Sequence, residues 1–536
     1  DTYAYYCATR ALMENEGFKF KYYFDSDEEE KEYDTSYDEM YSYCQKKLYS
    51  EGYKIYTSID LTKQQQLQDS IDLTLLDFTD TTDDGTFKLQ SAATCIDNAT
   101  GYVVAIVGGR SQDATNHTLN RAFQSHRQPG SSIKPLIVYT PSFERGKTPD
   151  TIVNDHKFDG GPSNAGDSYY GDVTIRFAVE KSLNTVAWQL YDELTPKVGL
   201  QYLKDMNFTN IVKDDYVTAT ALGGFTTGVS PLEMASAYAT LENDGMYRNP
   251  TCVTSIVDSD NNIIYTSSQK DTVIYSENAA RTMTDVMTGV MTQGTGRKAK
   301  LDNGMPSAGK TGTTNDKKDG WFCGFTRYYT TCVWVGCDMP ETIKDLTGGS
   351  YPAEIWKNYM DQIHSDLTPL NFLPYAHMSD ESQDNQESQE VQDTPADDQT
   401  QNNPTDQTVT TPDEGTTTPD QTTTDPNKTD AAGGNHEKTP TTPSENPSGG
   451  AGDSDSAGGT GGAGDNGSTG GAGGAGDSGS TGGAGGAGGS GSTGGTGGAG
   501  GSGSTGGTGG AGGSGSTGNT GGTTGGESGA TGGAAQ

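Results

Sequence analysis

Ser131-Ser132-Ile133-Lys134, Ser182-Leu183-Asn184 and Lys310-Thr311-Gly312-Thr313 follow one another along the chain, and the reading of the protein turns on them. Together they supply a hydroxyl nucleophile, an amine base, two polar groups to relay protons and orient substrate, and a cationic strand edge. That is an acyl-transfer site built without histidine. Each string alone is weak. A serine three residues before a lysine arises by chance in most chains of this length, and a serine N-cap beside a surface lysine explains it without function. Lys-Thr-Gly-Thr is scarcer, and the ordered set is scarcer still.

Ser131 follows Pro129-Gly130 and opens a helical stretch, with Lys134 one turn on, so both side chains leave the same face. A serine hydroxyl is a poor nucleophile until an adjacent base takes its proton. Lysine serves as that base only if desolvation or nearby positive charge lowers its pKa from about 10.4 toward neutrality. Lys310 is a source of such a field. The start of the helix also points backbone N–H groups at the place where an oxyanion would form. Ser182-Leu183-Asn184 precedes an apolar helix, Val186 to Leu190, where serine would equally serve as an N-cap. Gly312, inside a strand-like segment, permits close approach by a ligand, while Lys310 and Thr311 offer charge and a hydroxyl to a carboxylate. The plain alternative there is a strand end with a turn.

Composition bounds the rest. Of 536 residues only 31% are apolar, and the 75 glycines sit mostly near the C-terminus. From about His377 the chain is Ser, Thr, Asp, Gln, Asn and Pro, and from Gly449 it becomes Gly/Ser/Thr repeats. Such a segment buries too little apolar surface to offset an ordering cost of roughly 1–2 kcal/mol per residue, and is expected to be a disordered tail. The foldable part is one large domain plus an accessory segment. A formal net charge of -37 argues against nucleic acid as a partner, since phosphate binding needs clustered Lys and Arg. No run of apolar residues is long enough for a transmembrane helix, and no signal peptide is visible. The chain starts at Asp1, so an excerpt with a missing upstream part is expected.

The six histidines, His117, His126, His156, His364, His377 and His436, are isolated, so neither a metal nor another cofactor is expected. The acidic run Asp25 to Lys31 lacks the glycine and distal glutamate of a calcium loop and reads as a solvated loop. The seven cysteines show no metal or disulfide spacing. Cys323 and Cys332 flank an apparent hairpin, but cross-strand geometry seldom suits a disulfide, and none is expected. Strand patterns at Tyr53 to Ile59, Ala92 to Asp97 and Tyr102 to Gly109 come first. Helices follow over Phe177 to Leu194 and Pro231 to Asp244. Strands return at Cys252 to Ile256, Asn262 to Thr266, Gly320 to Phe325 and Thr331 to Val335, before a helix near Ala353 to His364. The order predicts an α+β fold in which the two ends of the domain complete one antiparallel sheet, with flanking helices and a helical subdomain.

Further residues carry a family resemblance. They include Tyr56-Thr57-Ser58-Ile59-Asp60, Gly108-Gly109, Arg121-Ala122-Phe123 and the lead-in Arg127-Gln128-Pro129-Gly130. Ala221-Leu222-Gly223-Gly224, Gly228-Val229-Ser230-Pro231 and Asp319-Gly320-Trp321-Phe322 extend it. With the three strings, the chain resembles the transpeptidase portion of a class A (bifunctional) penicillin-binding protein. The resemblance implies the penicillin-binding/serine β-lactamase-like fold over 56–368, preceded by the remainder of an interdomain linker at 1–55 and followed by the tail at 369–536. It implies a peptidoglycan D,D-transpeptidase, outside a bacterial cell membrane, reached by the membrane only through a missing N-terminal anchor. The glycosyltransferase half would likewise be missing. Ser131 would attack the penultimate D-Ala carbonyl of a stem peptide, and Lys134 would take its proton. Ser182 and Asn184 would hold Lys134 and the donor, while Lys310 and Thr311, on the Gly312 strand, would bind the terminal carboxylate. The N–H groups of Ser131 and Thr313 would form the oxyanion hole, an amine of a second stem would accept the acyl group, and β-lactam antibiotics would acylate Ser131. Leu183 replaces the Asp of the lactamase version, and no Glu-x-x-Leu-Asn follows Asn184 to place a deacylating water. Those departures favour transfer over the alternatives, a β-lactamase or D,D-carboxypeptidase and a non-catalytic wall-binding or sensor module.

Overall fold

The computed structural model describes residues 1–111 and 119–376; of the tail expected at 369–536, Phe372 packs against Phe325 of the domain, and residues 377–536 lie outside the described residues. Tyr329–Cys337 is rich in β-branched and aromatic side chains and forms the middle of a five-stranded sheet. The spatial order is Ala308–Thr313, Asp319–Phe325, Tyr329–Cys337, Leu89–Asp97 and Val103–Val107, antiparallel throughout. Early and late strands therefore share one sheet, as the alternation of elements predicts.

Both faces of this sheet are covered. Every residue of Leu89–Asp97 except Asp97 is buried. Along Asp319–Phe325 the two-residue period sends Trp321, Cys323 and Phe325 into one core and Phe322 into the other. Helix Tyr351–Ile363 lies over the Phe322 side with Leu61–Thr74, which Asp60 starts by accepting the N–H groups of Thr62 and Lys63. Helix Pro231–Glu242 covers the other side. Ser230 and Glu233 exchange hydrogen bonds at its start, and Pro231 occupies the first helical position. Helix Glu277–Thr292 packs against the edge strand Ala308–Thr313.

Three expectations need correction. The strands Val253–Val257 and Ile263–Thr266 do not join the large sheet; they pair with Lys54–Thr57 in a separate three-stranded one. The acidic run at Asp25 to Lys31 is not a loop. Ser26 caps helix Asp27–Ser50, and Asp27, Glu28, Glu29 and Glu30 fill its first turn, where the helix dipole favours negative charge. The stretch from Ser131 is not one regular α-helix either. A 3₁₀ turn at Gly130–Ile133 passes into a π-helical turn at Pro135–Tyr139 and then an α-helix at Thr140–Glu144. Pro135 has no N–H, so the regular ladder cannot run through it.

The first residues are part of the same packing. Tyr3, Cys7, Leu12 and Met13 of helix Thr2–Asn15 are buried in the core, with Tyr3 and Tyr6 against Phe123. Cys323 and Cys332 sit opposite each other across the hairpin, and both are free thiols. His364 is a core histidine held between the Thr326 hydroxyl and the Met360 carbonyl. Among the described residues no cluster of His, Cys, Asp and Glu could hold a metal, and no helix is long and apolar enough to cross a membrane.

Phe322 is fully buried with its ring 5.2 Å from that of Trp356. Phe322→Ala is expected to cost about 3–5 kcal/mol. Urea unfolding would report it as a lower midpoint with an unchanged slope.

Candidate active site

Gly130 makes the site possible. It has φ +55°, and a Cβ on it would come within 2.7–2.8 Å of the Thr313 backbone. Glycine is required twice over, for its conformation and for the approach of the edge strand. Gly312 repeats the argument from the other side: a Cβ there would meet the Pro129 carbonyl at 2.2 Å and Ser132 Oγ at 2.9 Å. The turn carrying Ser131 and the strand carrying Lys310, Thr311 and Thr313 therefore lie backbone against backbone. Ser132 Oγ donates to the Pro129 carbonyl at 2.7 Å, and the Tyr238 hydroxyl donates to the Ser132 carbonyl at 2.6 Å. Trp321 Nε1 donates to the Gln128 carbonyl at 2.9 Å. The Arg127 guanidinium reaches Asp319 at 2.8 Å, and Trp334 Nε1 donates to the same carboxylate oxygen at 3.0 Å. The turn is held from several elements at once.

Ser131 is half-buried, with its hydroxyl free of hydrogen bonds among the described residues, whereas Lys134 is fully buried. The Lys134 amine donates to the carbonyls of Ser182 at 2.9 Å and Leu183 at 3.1 Å, and to Asn184 Oδ1 at 2.8 Å. These acceptors converge because helix Ile175–Lys181 ends on Ser182 in the left-handed conformation (φ 59°, ψ 38°), which turns the chain sharply before helix Asn184–Leu194 begins. A non-glycine residue in that conformation carries strain that its surroundings must hold in place. The Ser182 hydroxyl accepts from Lys310 Nζ at 2.8 Å. Ser182 thus lies between two amines, its carbonyl toward Lys134 and its hydroxyl toward Lys310.

Lys310 is fully buried and also donates to the Thr311 carbonyl at 3.0 Å. Thr311 shares a hydrogen bond with the Thr295 hydroxyl at 2.7 Å, and Thr313 Oγ1 accepts the Gly348 N–H at 2.9 Å. Burial lowers the pKa of Lys134 well below the usual lysine range, and the nearby Lys310 charge lowers it further. Burial also pushes Lys310 down to about 7, with Cys323 acting weakly in the opposite sense. A lysine whose pKa is lowered in this way can act as a base toward a nearby serine.

All eight residues named from the sequence, Ser131, Lys134, Ser182, Asn184, Lys310, Thr311, Gly312 and Thr313, come together. Neither spacing nor composition marks Asn164, which accepts the Asn184 N–H, or Thr295, which bonds to Thr311, nor Asp155 and Thr185, which bond to each other and to Asn164 behind them. Asn164 lies in a Gly-Pro-Ser-Asn loop that reads as an ordinary turn.

The penicillin binding protein transpeptidase domain matches residues 91–361. Penicillin-binding protein 4 of Bacillus subtilis is 36% identical over 314 residues, covering 58% of this chain and 48% of that protein. Penicillin-binding protein 1A of Clostridium acetobutylicum is 35% identical over 337 residues, covering 59% and 41%. The chain spans about half the length of these curated relatives. In fold it is similar to PonA1 of Mycobacterium tuberculosis in complex with penicillin V, with a TM-score of 0.57, 23% identity and coverage of 70% of this chain and 96% of that one. Penicillin-binding protein 1A of Haemophilus influenzae aligns with a TM-score of 0.53 and 21% identity, covering 60% and 68%. The sheet with its two helical layers, the serine turn locked to the edge strand and the domain match lead to one conclusion: the chain belongs to the penicillin-binding protein transpeptidase family.

Proposed function

We propose that the chain is a serine D,D-transpeptidase that cross-links peptidoglycan stem peptides on the outer side of a bacterial cell membrane, and that β-lactams acylate it. One observation carries this reading. A buried lysine amine, its pKa lowered by desolvation and by a second lysine, sits three residues from a serine whose turn is locked against the strand carrying Lys310. The names of the relatives agree with it.

The steps follow from the residues. Neutral Lys134 takes the Ser131 proton as Oγ attacks the penultimate D-Ala carbonyl carbon. The resulting oxyanion is held by the N–H groups of Ser131 and Thr313. Lys310 and the Thr311 hydroxyl bind the terminal carboxylate, which places the scissile bond over Ser131. The C–N bond then breaks, Lys134 gives the proton to the leaving nitrogen, and D-Ala departs, with the Ser182 hydroxyl held by Lys310 Nζ at 2.8 Å. An amine from a neighbouring stem attacks the acyl-serine carbonyl, gives up a proton by the same route and regenerates Ser131. Water as the acceptor would make the protein a carboxypeptidase. Against efficient hydrolysis stands the absence, among the described residues, of any carboxylate hydrogen-bonded to Ser131 or Lys134.

A fluorescent penicillin is expected to label the wild-type chain and not Ser131→Ala; labelling that survives the substitution would refute the assignment. Intact-mass measurement after benzylpenicillin should show a single adduct that persists, whereas rapid loss of it would favour hydrolysis. The acylation rate should fall as pH drops, because protonated Lys134 has no lone pair to offer. Lys310→Met removes a positive charge that opposes this protonation, so Lys134 becomes easier to protonate and the acid limb should move to higher pH. A limb that stays put or moves down in a pH–rate profile would rule out the coupling of the two lysines.

A further inference from the structure

Helix Asn184–Leu194 starts at Leu183, whose apolar side chain gives no cap to the first N–H groups. The cap comes instead from Asn164, 20 residues earlier. Its Oδ1 accepts the N–H of Asn184 at 2.7 Å and that of Thr185 at 3.3 Å. Its Nδ2 donates to Asp155 Oδ1 at 2.7 Å and to the Ser168 carbonyl at 3.0 Å. The Thr185 hydroxyl donates to the same Asp155 oxygen, and the Tyr170 N–H donates to Asp155 Oδ2 at 2.8 Å. Asp155 is 1%, Asn164 5% and Thr185 0% exposed, so this is a satisfied buried network and not a surface arrangement.

The network has a consequence for Asn184. With the helix start capped by another residue, the Asn184 side chain is not drawn back onto its own helix. It spans instead from the Ser163 carbonyl, which accepts from Nδ2 at 2.7 Å, to the Lys134 amine, which donates to Oδ1 at 2.8 Å. Ser163 adjoins Asn164, so one loop fixes both the backbone and the amide of Asn184. We infer that Asp155, Asn164 and Thr185 are positioning residues for acylation, orienting Asn184 so that its Oδ1 faces the Lys134 amine. This rests on the transpeptidase reading above. None of the three touches the reacting atoms; they act through Asn184.

The experiment is rapid-quench acylation of the full chain by benzylpenicillin, resolving the dissociation constant of the first complex from the acylation rate constant. Asn164→Ala should lower the rate constant at least about tenfold and leave the dissociation constant within about threefold, as expected for misplacement of a catalytic group. Thr185→Val should act in the same direction, and Thr185→Ser, which keeps the hydroxyl for Asp155, should stay within about threefold of wild type. Folded Asn164→Ala acylating at the wild-type rate would overturn the inference, as would equal rates for Thr185→Val and Thr185→Ser. If Asn164→Ala does not fold, the Thr185 pair decides. The wild-type adduct separates the two readings: its absence from Ser131 refutes the transpeptidase assignment itself.

Discussion

A lysine amine with no access to water is the constraint around which this domain is organised. Lys134 is charged at little benefit in a desolvated site, yet its N–H groups still require acceptors. The fold meets both demands at one point. It ends a helix on a left-handed serine, so that two backbone carbonyls and an asparagine amide turn toward the amine. A regular helix through Ser182 would keep those carbonyls in its own ladder and leave Lys134 without partners. Strain at Ser182 is thus tied to the satisfaction of a buried donor several elements away.

The sheet supplies the rigidity this requires. Its edge strand is held by Asp319–Phe325 on one side and packs directly onto the serine turn on the other, with glycine at both contact points. Behind it, Trp321, Trp334, Arg127 and Asp319 tie the turn to the strands by hydrogen bonds and an ion pair that is largely shielded from water. In that setting the removal of one partner leaves another buried polar group unsatisfied, which is costly. The positions of Ser131 and Lys310 relative to each other therefore depend on the packed core and not on a flexible loop.

Much of this was legible in the chain. The three motif strings named every residue of the central cluster, because their chemistry needs particular residue types at short, fixed spacings. The large sheet followed from strand-like runs such as Ala92 to Asp97 and Gly320 to Phe325. Pairing partners were less legible: nothing local to Val253–Val257 says that it joins Lys54–Thr57 and not the large sheet, since strand pairing is a long-range outcome. The acidic run after Asp25 looked like a solvated loop because charge density hid a helix start that Ser26 and the dipole favour. Asp155 and Asn164 carry no pattern of their own. Their significance arises only when folding brings the 155–170 loop against a helix whose first residue lacks a cap.

The locked contact between Gly130 and Thr313 also has a mechanical meaning. Where two backbones touch with no side chain between them, there is no rotamer to change and no gap to close. The turn bearing Ser131 and the strand bearing Lys310 therefore behave as one solid piece, so the nucleophile and the strand amine keep a fixed separation whatever the rest of the domain does.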